Sequence, residues 1–130
     1  MADVNRGKRP LSPHISIYRS EINMITSILN RITGVGMMLA AILIVWWLLA
    51  AATNEAYFDF VNGILTSWVG LIVMFGSLWA LWFHFLGGLR HLVMDFGYGY
   101  ELKSVDFWGW AIVGLSFVLT AVSIFCLATF

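Results

Sequence analysis

Residues 32–52 read ITGVGMMLAAILIVWWLLAAA, 21 positions without Asp, Glu, Lys or Arg. About 20 apolar residues of helix are needed to cross a hydrocarbon core of about 30 Å, so this run can span a bilayer. Two further uncharged blocks follow, 30 residues at 60–89 and 24 residues at 107–130. The chain is 61% hydrophobic and 11% charged, against roughly 45–50% apolar content in soluble domains, which argues against a water-soluble fold. The pattern predicts an all-α membrane protein of three transmembrane helices, over about 27–52, 64–94 and 107–129. Residues 1–26 form an N-terminal arm ahead of a 27–130 membrane domain.

The polar residues between the blocks set an orientation. Residues 53–59 contain Asn54, Glu55 and Asp59 but no Lys or Arg, whereas 90–106 contain Arg90 and Lys103. The arm adds Arg6, Lys8, Arg9, Arg19 and Arg31, so with three spans all seven basic residues share one side. The positive-inside rule then places the N-terminus in the cytoplasm and Phe130 in the periplasm. A cleavable secretory leader is not expected, because the first 31 residues lack a short apolar core. A bacterial inner membrane is the expected location. Pro10 and Pro13 disfavour helix in the residues before them and make 9–18 an extended segment. Cys126 is the single cysteine, and no C-x-x-C-H haem attachment site is present. Trp46, Trp47, Trp68, Trp108 and Trp110 lie near span ends as interfacial anchors should, while Trp79 and Trp82 lie deeper and can pack internally.

His84 is the one ionisable side chain within an uncharged block, six positions before Arg90. Intramembrane ionisable residues are functional candidates by default. An imidazole there can ligate haem iron, relay protons or only hydrogen-bond a neighbouring helix. Gly87, Gly88, His91 and Asp95 follow on the same helical face. Small residues between two histidines let a flat ring approach the backbone, or let another helix pack closely. His84 and His91 stand about 10.5 Å apart along the axis at 1.5 Å per residue, while two axial nitrogens across one metal stand only about 4 Å apart. They cannot share one iron. A small three-helix chain has a thin interior, so a cofactor pocket is expected to need helices of a partner chain and a larger bundle. At the start of span one, Ser27, Asn30, Arg31 and Gly34 form a second polar stripe. Its hydroxyl and guanidinium can donate to a quinone carbonyl or a haem propionate, or act as a cap and a snorkelling cation. Arg90 has the same two readings.

Three motifs together resemble the cytochrome b anchor subunit of succinate dehydrogenase, respiratory complex II. They are R-P-L-S-P-H-I-S-I-Y from Arg9 to Tyr18, S-I-L-N-R-I-T-G from Ser27 to Gly34, and H-F-L-G-G-L-R-H-L-V-M-D-F-G from His84 to Gly97. With the three-span layout, the likeness covers essentially the whole chain, and the arm resembles the mitochondrial and alphaproteobacterial branch.

The resemblance implies that His84 is an axial ligand of haem b, with the second ligand supplied by a second small membrane anchor subunit. It implies ubiquinone contacts at Ser27 and Arg31, with Asp95 near the same region. Arg31, Asn30, Arg90 and His91 fall to the haem propionates or to supporting positions. The family usually has histidine where this chain has Asn30, an amide that can donate but cannot carry charge. An iron–sulfur subunit and a flavoprotein subunit are the implied soluble partners, since this chain has neither cluster cysteines nor a flavin-binding Gly-rich loop. No nucleic-acid partner is expected, and the chain alone carries no residue for succinate oxidation. Two other classes remain: a small transporter or proton-conducting subunit using His84 as a relay, and a haem-free structural anchor. Against the first, no span contains the Asp or Glu such proteins place near the midplane.

Overall fold

The structure is a computed structural model that describes residues 19–129 of the 130. Four helices follow one another: α1 (Ile22–Thr53), α2 (Glu55–Thr66), α3 (Trp68–Asp95) and α4 (Leu102–Thr129). The first, third and fourth are long and apolar enough to cross a membrane. The extended segment expected over 9–18, with its His14, lies outside the described residues.

One difference from the sequence reading concerns the first connection. Residues 53–59 were expected as a polar linker and the second span from about Ile64, but Glu55–Thr66 form a separate helix and α3 starts at Trp68. Local capping causes the break. Asn54 accepts the Tyr57 N–H at 2.8 Å and opens α2, and Glu55 places negative charge on its first turn. Ser67 then accepts the Gly70 N–H at 3.2 Å while its own hydroxyl donates to the Ile64 carbonyl at 2.6 Å. Both are preferred N-cap residues. The bend requires Gly70, where a Cβ would collide with the carbonyl oxygens of Ile64 and Leu65. Two indoles fasten α2 to α1: Trp46 Nε1 donates to Tyr57 Oη at 2.7 Å and Trp47 Nε1 to Asn62 Oδ1 at 3.4 Å.

At the other end, α3 stops in a Schellman-type turn. Gly97 adopts φ +87°, its N–H reaching Met94 O at 2.8 Å and that of Tyr98 reaching Val93 O at 3.3 Å. The chain reverses there and enters α4. In consequence the start of α1, the end of α3 and the start of α4 lie together, and Arg19, Arg31, Arg90 and Lys103 belong to this one basic end of the bundle.

The interior is thin. Among the described residues the buried apolar side chains are Ala50, Val61, Ala80, Phe83 and Ile112. Helix contact relies on small residues and hydroxyls, as in membranes, where lipid is as apolar as leucine. Trp79 Nε1 donates to the wholly buried Ser116 at 3.1 Å and Trp82 Nε1 to Ser123 at 3.0 Å, so both deep indoles join α3 to α4. Gly109 of α4 admits Ile22 of α1, whose Cγ1 would stand 2.9 Å from a Cβ placed there.

Candidate functional site

The functional candidates lie on the antiparallel contact of α1 and α3 toward the basic end. His84 is half-buried and faces α1, its Nδ1 standing 3.0 Å from the Asn30 carbonyl oxygen and 3.5 Å from Thr33 Oγ1. A carbonyl oxygen only accepts, so Nδ1 carries the hydrogen and the lone pair of the neutral ring resides on Nε2. Nε2 has no hydrogen-bond partner among the described residues. Thr33 donates to Leu29 O at 2.8 Å, so its hydroxyl proton does not compete for the imidazole. An imidazole fixed at one nitrogen by a carbonyl and free at the other is the arrangement found in metal-bound histidines.

Glycines make this approach possible. A Cβ at Gly34 would stand 3.1 Å from His84 Cε1, and one at Gly87 would stand 2.6 Å from Asn30 Oδ1. Asn30 Oδ1 is buried without a conventional donor, and its position over Gly87 suits a weak Cα–H···O contact of the kind found between helices. Gly88 instead has nothing within 4 Å of a Cβ. Of the two glycines between the histidines, one packs a helix and the other leaves open space.

One turn nearer the basic end, a cleft of about 280 Å3 opens between the helices. Ser27 and Asn30 line it from α1, Gly87, Arg90 and His91 from α3, and Val105 and Ile112 from α4. Arg90 bridges the three helices. Nη1 donates to Thr26 Oγ1 at 3.3 Å, and Nη2 donates to Asn23 Oδ1 at 3.4 Å and to Val105 O at 3.3 Å. Ser27 differs from most hydroxyls in these helices. Thr33, Ser77, Thr120 and Ser123 each donate back to the carbonyl four residues earlier, whereas Ser27 has no side-chain hydrogen bond among the described residues.

A second cleft of about 250 Å3 lies between α3 and α4, sharing Arg90, Met94 and Ile112 with the first but otherwise lined by residues such as Leu89, Val93 and Trp108. A ring bearing two carbonyl oxygens needs donors, and the first cleft has them. Arg31 and Asp95 are exposed and line neither cleft. The guanidinium that lines the cleft together with Ser27 is that of Arg90. Reading the sequence missed Asn23, Thr26 and Thr33, although Thr26, Asn30 and Thr33 recur at i, i+4 and i+7.

Residues 5–123 match the family of succinate dehydrogenase/fumarate reductase transmembrane subunits. The chain belongs to this family. It is 47% identical over 124 residues to the succinate dehydrogenase cytochrome b556 subunit of Paracoccus denitrificans, covering 95% of each chain. It is 38% identical over 113 residues to that of Rickettsia felis, covering 87% of this chain and 88% of the relative. The cytochrome b560 subunit of Reclinomonas americana is 32% identical over 120 residues, 88% of this chain and 83% of the relative. As a succinate dehydrogenase transmembrane subunit, the chain is a multi-pass membrane protein that works within a complex of several subunits. Enzymatic activity therefore belongs to the complex.

Proposed function

We propose that this chain holds haem b jointly with a second small membrane anchor subunit and forms part of the ubiquinone-reduction site of succinate dehydrogenase. Electrons would pass from succinate through a flavoprotein subunit and an iron–sulfur subunit. The observation that carries the reading is His84, with Nδ1 tied to the Asn30 carbonyl and Nε2 free to bind iron. Bound there, haem supplies one-electron redox chemistry. His84 would hold the haem iron from this chain and the partner subunit would supply a further ligand, since His91 is too far along the helix to share it with His84. The cytochrome b556 names of the relatives support the same cofactor.

The quinone part rests on the cleft lined by Ser27, Asn30, Arg90 and His91. The uncommitted Ser27 hydroxyl can donate to a quinone carbonyl oxygen, while the Arg90 cation favours charge developing on the ring. Arg31, free of partners among the described residues, would meet a propionate or the quinone on completion of the bundle, with Asp95 at the rim. The basic end faces the cytoplasm in this reading, so the soluble subunits dock beside the cleft and the C-terminus lies in the periplasm.

Reduced-minus-oxidised visible spectra of the purified complex test the haem assignment. A b-type band is expected in the wild type and its loss or shift in His84→Ala; an unchanged band in the variant would remove His84 as ligand. For the cleft, Ser27→Ala and Arg31→Ala are expected to impair ubiquinone reduction while succinate oxidation by a soluble artificial acceptor survives. Normal quinone turnover in Ser27→Ala would refute the cleft, whereas Arg31→Ala tests the contact made on completion of the bundle.

A further inference from the structure

Reduction of a quinone to a quinol takes up two protons along with two electrons, and groups touching the ring must deliver them. The α1 wall of the cleft offers amides and hydroxyls, Asn30 and Ser27 among them, and the α4 wall is apolar at Val105 and Ile112. None of these ionises near neutral pH. On α3, Arg90 keeps its proton at any working pH. His91 is thus the one described cleft-lining residue of a type that takes up and releases protons near neutrality.

Its setting suits that task. His91 is exposed in the chain and stands one turn before the end of α3 at Asp95, and no hydrogen bond or ion pair commits its ring among the described residues. The charged residue on the cleft wall beside it is Arg90, whose guanidinium is occupied by Thr26, Asn23 and Val105. The other described charged residues at this end, Arg19, Glu21, Arg31, Asp95, Glu101, Lys103 and Asp106, are exposed and line no part of the cleft.

We propose that His91 is the proton donor to the quinone, an assignment that rests on the quinone reading of this cleft. As electrons arrive one at a time from the iron–sulfur subunit, an N–H bond of the His91 imidazolium breaks and an O–H bond forms on a quinone oxygen. The second oxygen, at the far end of the ring, takes its proton from water. The ring has then gained two electrons and two protons, and a further proton from water restores His91.

The test uses the intact complex with His91→Gln and, as a donor of different acidity, His91→Glu. In His91→Gln the kcat for ubiquinone reduction is expected to fall by about a hundredfold or more with little change in KM. The fall in wild-type rate with rising pH, as the imidazolium is lost, should disappear, and added imidazole should restore part of the activity. In His91→Glu the falling limb should move to lower pH. Oxidation of succinate by a soluble acceptor should match the wild type in both. A wild-type kcat and pH profile in His91→Gln, or an effect on KM alone, would overturn the proposal. If His91→Gln does not assemble, an unmoved profile in His91→Glu does so instead. Full quinone turnover in Ser27→Ala would refute the cleft itself, whereas an impaired Ser27→Ala beside an unaffected His91→Gln refutes only the donor.

Discussion

The imidazole of His84 rests on Gly34, close enough that a Cβ on the glycine would stand 3.1 Å from His84 Cε1. An alanine there forces the ring or α1 to yield by a few tenths of an ångström. With Nδ1 tethered to the Asn30 carbonyl, the ring tilts and Nε2 moves. Gly34→Ala is therefore expected to assemble with haem present but with a shifted electron paramagnetic resonance signal and midpoint potential. Wild-type values for both would show that the contact does not set the ligand's orientation.

Arg90 is half-buried and holds α1, α3 and α4 through three hydrogen bonds. Arg90→Gln removes the fork and leaves acceptors unpaired in a poorly solvated place, a loss of about 2–4 kcal/mol. Thermal unfolding of the detergent-solubilised complex should shift clearly downward, and Lys103→Gln, at an exposed residue, should leave it in place. Equal melting of the two variants would contradict the bridging role.

Gly87 and Asn30 form a paired contact, with 2.6 Å between Oδ1 and the position of a Cβ on the glycine. Gly87→Ala overpacks this point at about 1–3 kcal/mol. Since the clash is with the end of a side chain, adding Asn30→Ala should recover most of the loss. A double-mutant cycle on complex stability reads this coupling, and simple additivity would disprove it.

Ser116 is wholly buried and accepts the Trp79 indole N–H at 3.1 Å. Side-chain hydrogen bonds between membrane helices average about 0.6 kcal/mol, so Ser116→Ala should destabilise slightly and give the Trp79 indole an altered fluorescence or N–H resonance. Spectra and stability identical to the wild type would indicate that the bond does not form in the assembled protein.

Much of this protein is written in its linear pattern. The uncharged blocks mark three spans because a bilayer of fixed thickness demands a minimum run of apolar helix, and His84 stands out because an ionisable group is costly there. The motif from His84 to Gly97 carries the family likeness for the same local reason. The short helix α2 was less legible: the polar Glu55 and Asp59 read as a linker, and the caps Asn54 and Ser67 act through backbone hydrogen bonds that spacing alone does not display.

The remaining assignments depend on which helix faces which. Two glycines flank the middle of the motif, yet only the packing of α1 against α3 makes Gly87 a seat for Asn30 and leaves Gly88 open. Ser27 and Arg31 share a stripe, but helix rotation places Ser27 on the cleft with Arg90 and His91 and leaves Arg31 exposed. Length, periodicity and local chemistry were enough to mark three apolar spans, though not where the second begins, together with the one-sided charge and the family. The free nitrogen of His84, the bridging by Arg90 and the placing of His91 on the cleft wall come from tertiary packing, because each depends on contacts between residues tens of positions apart.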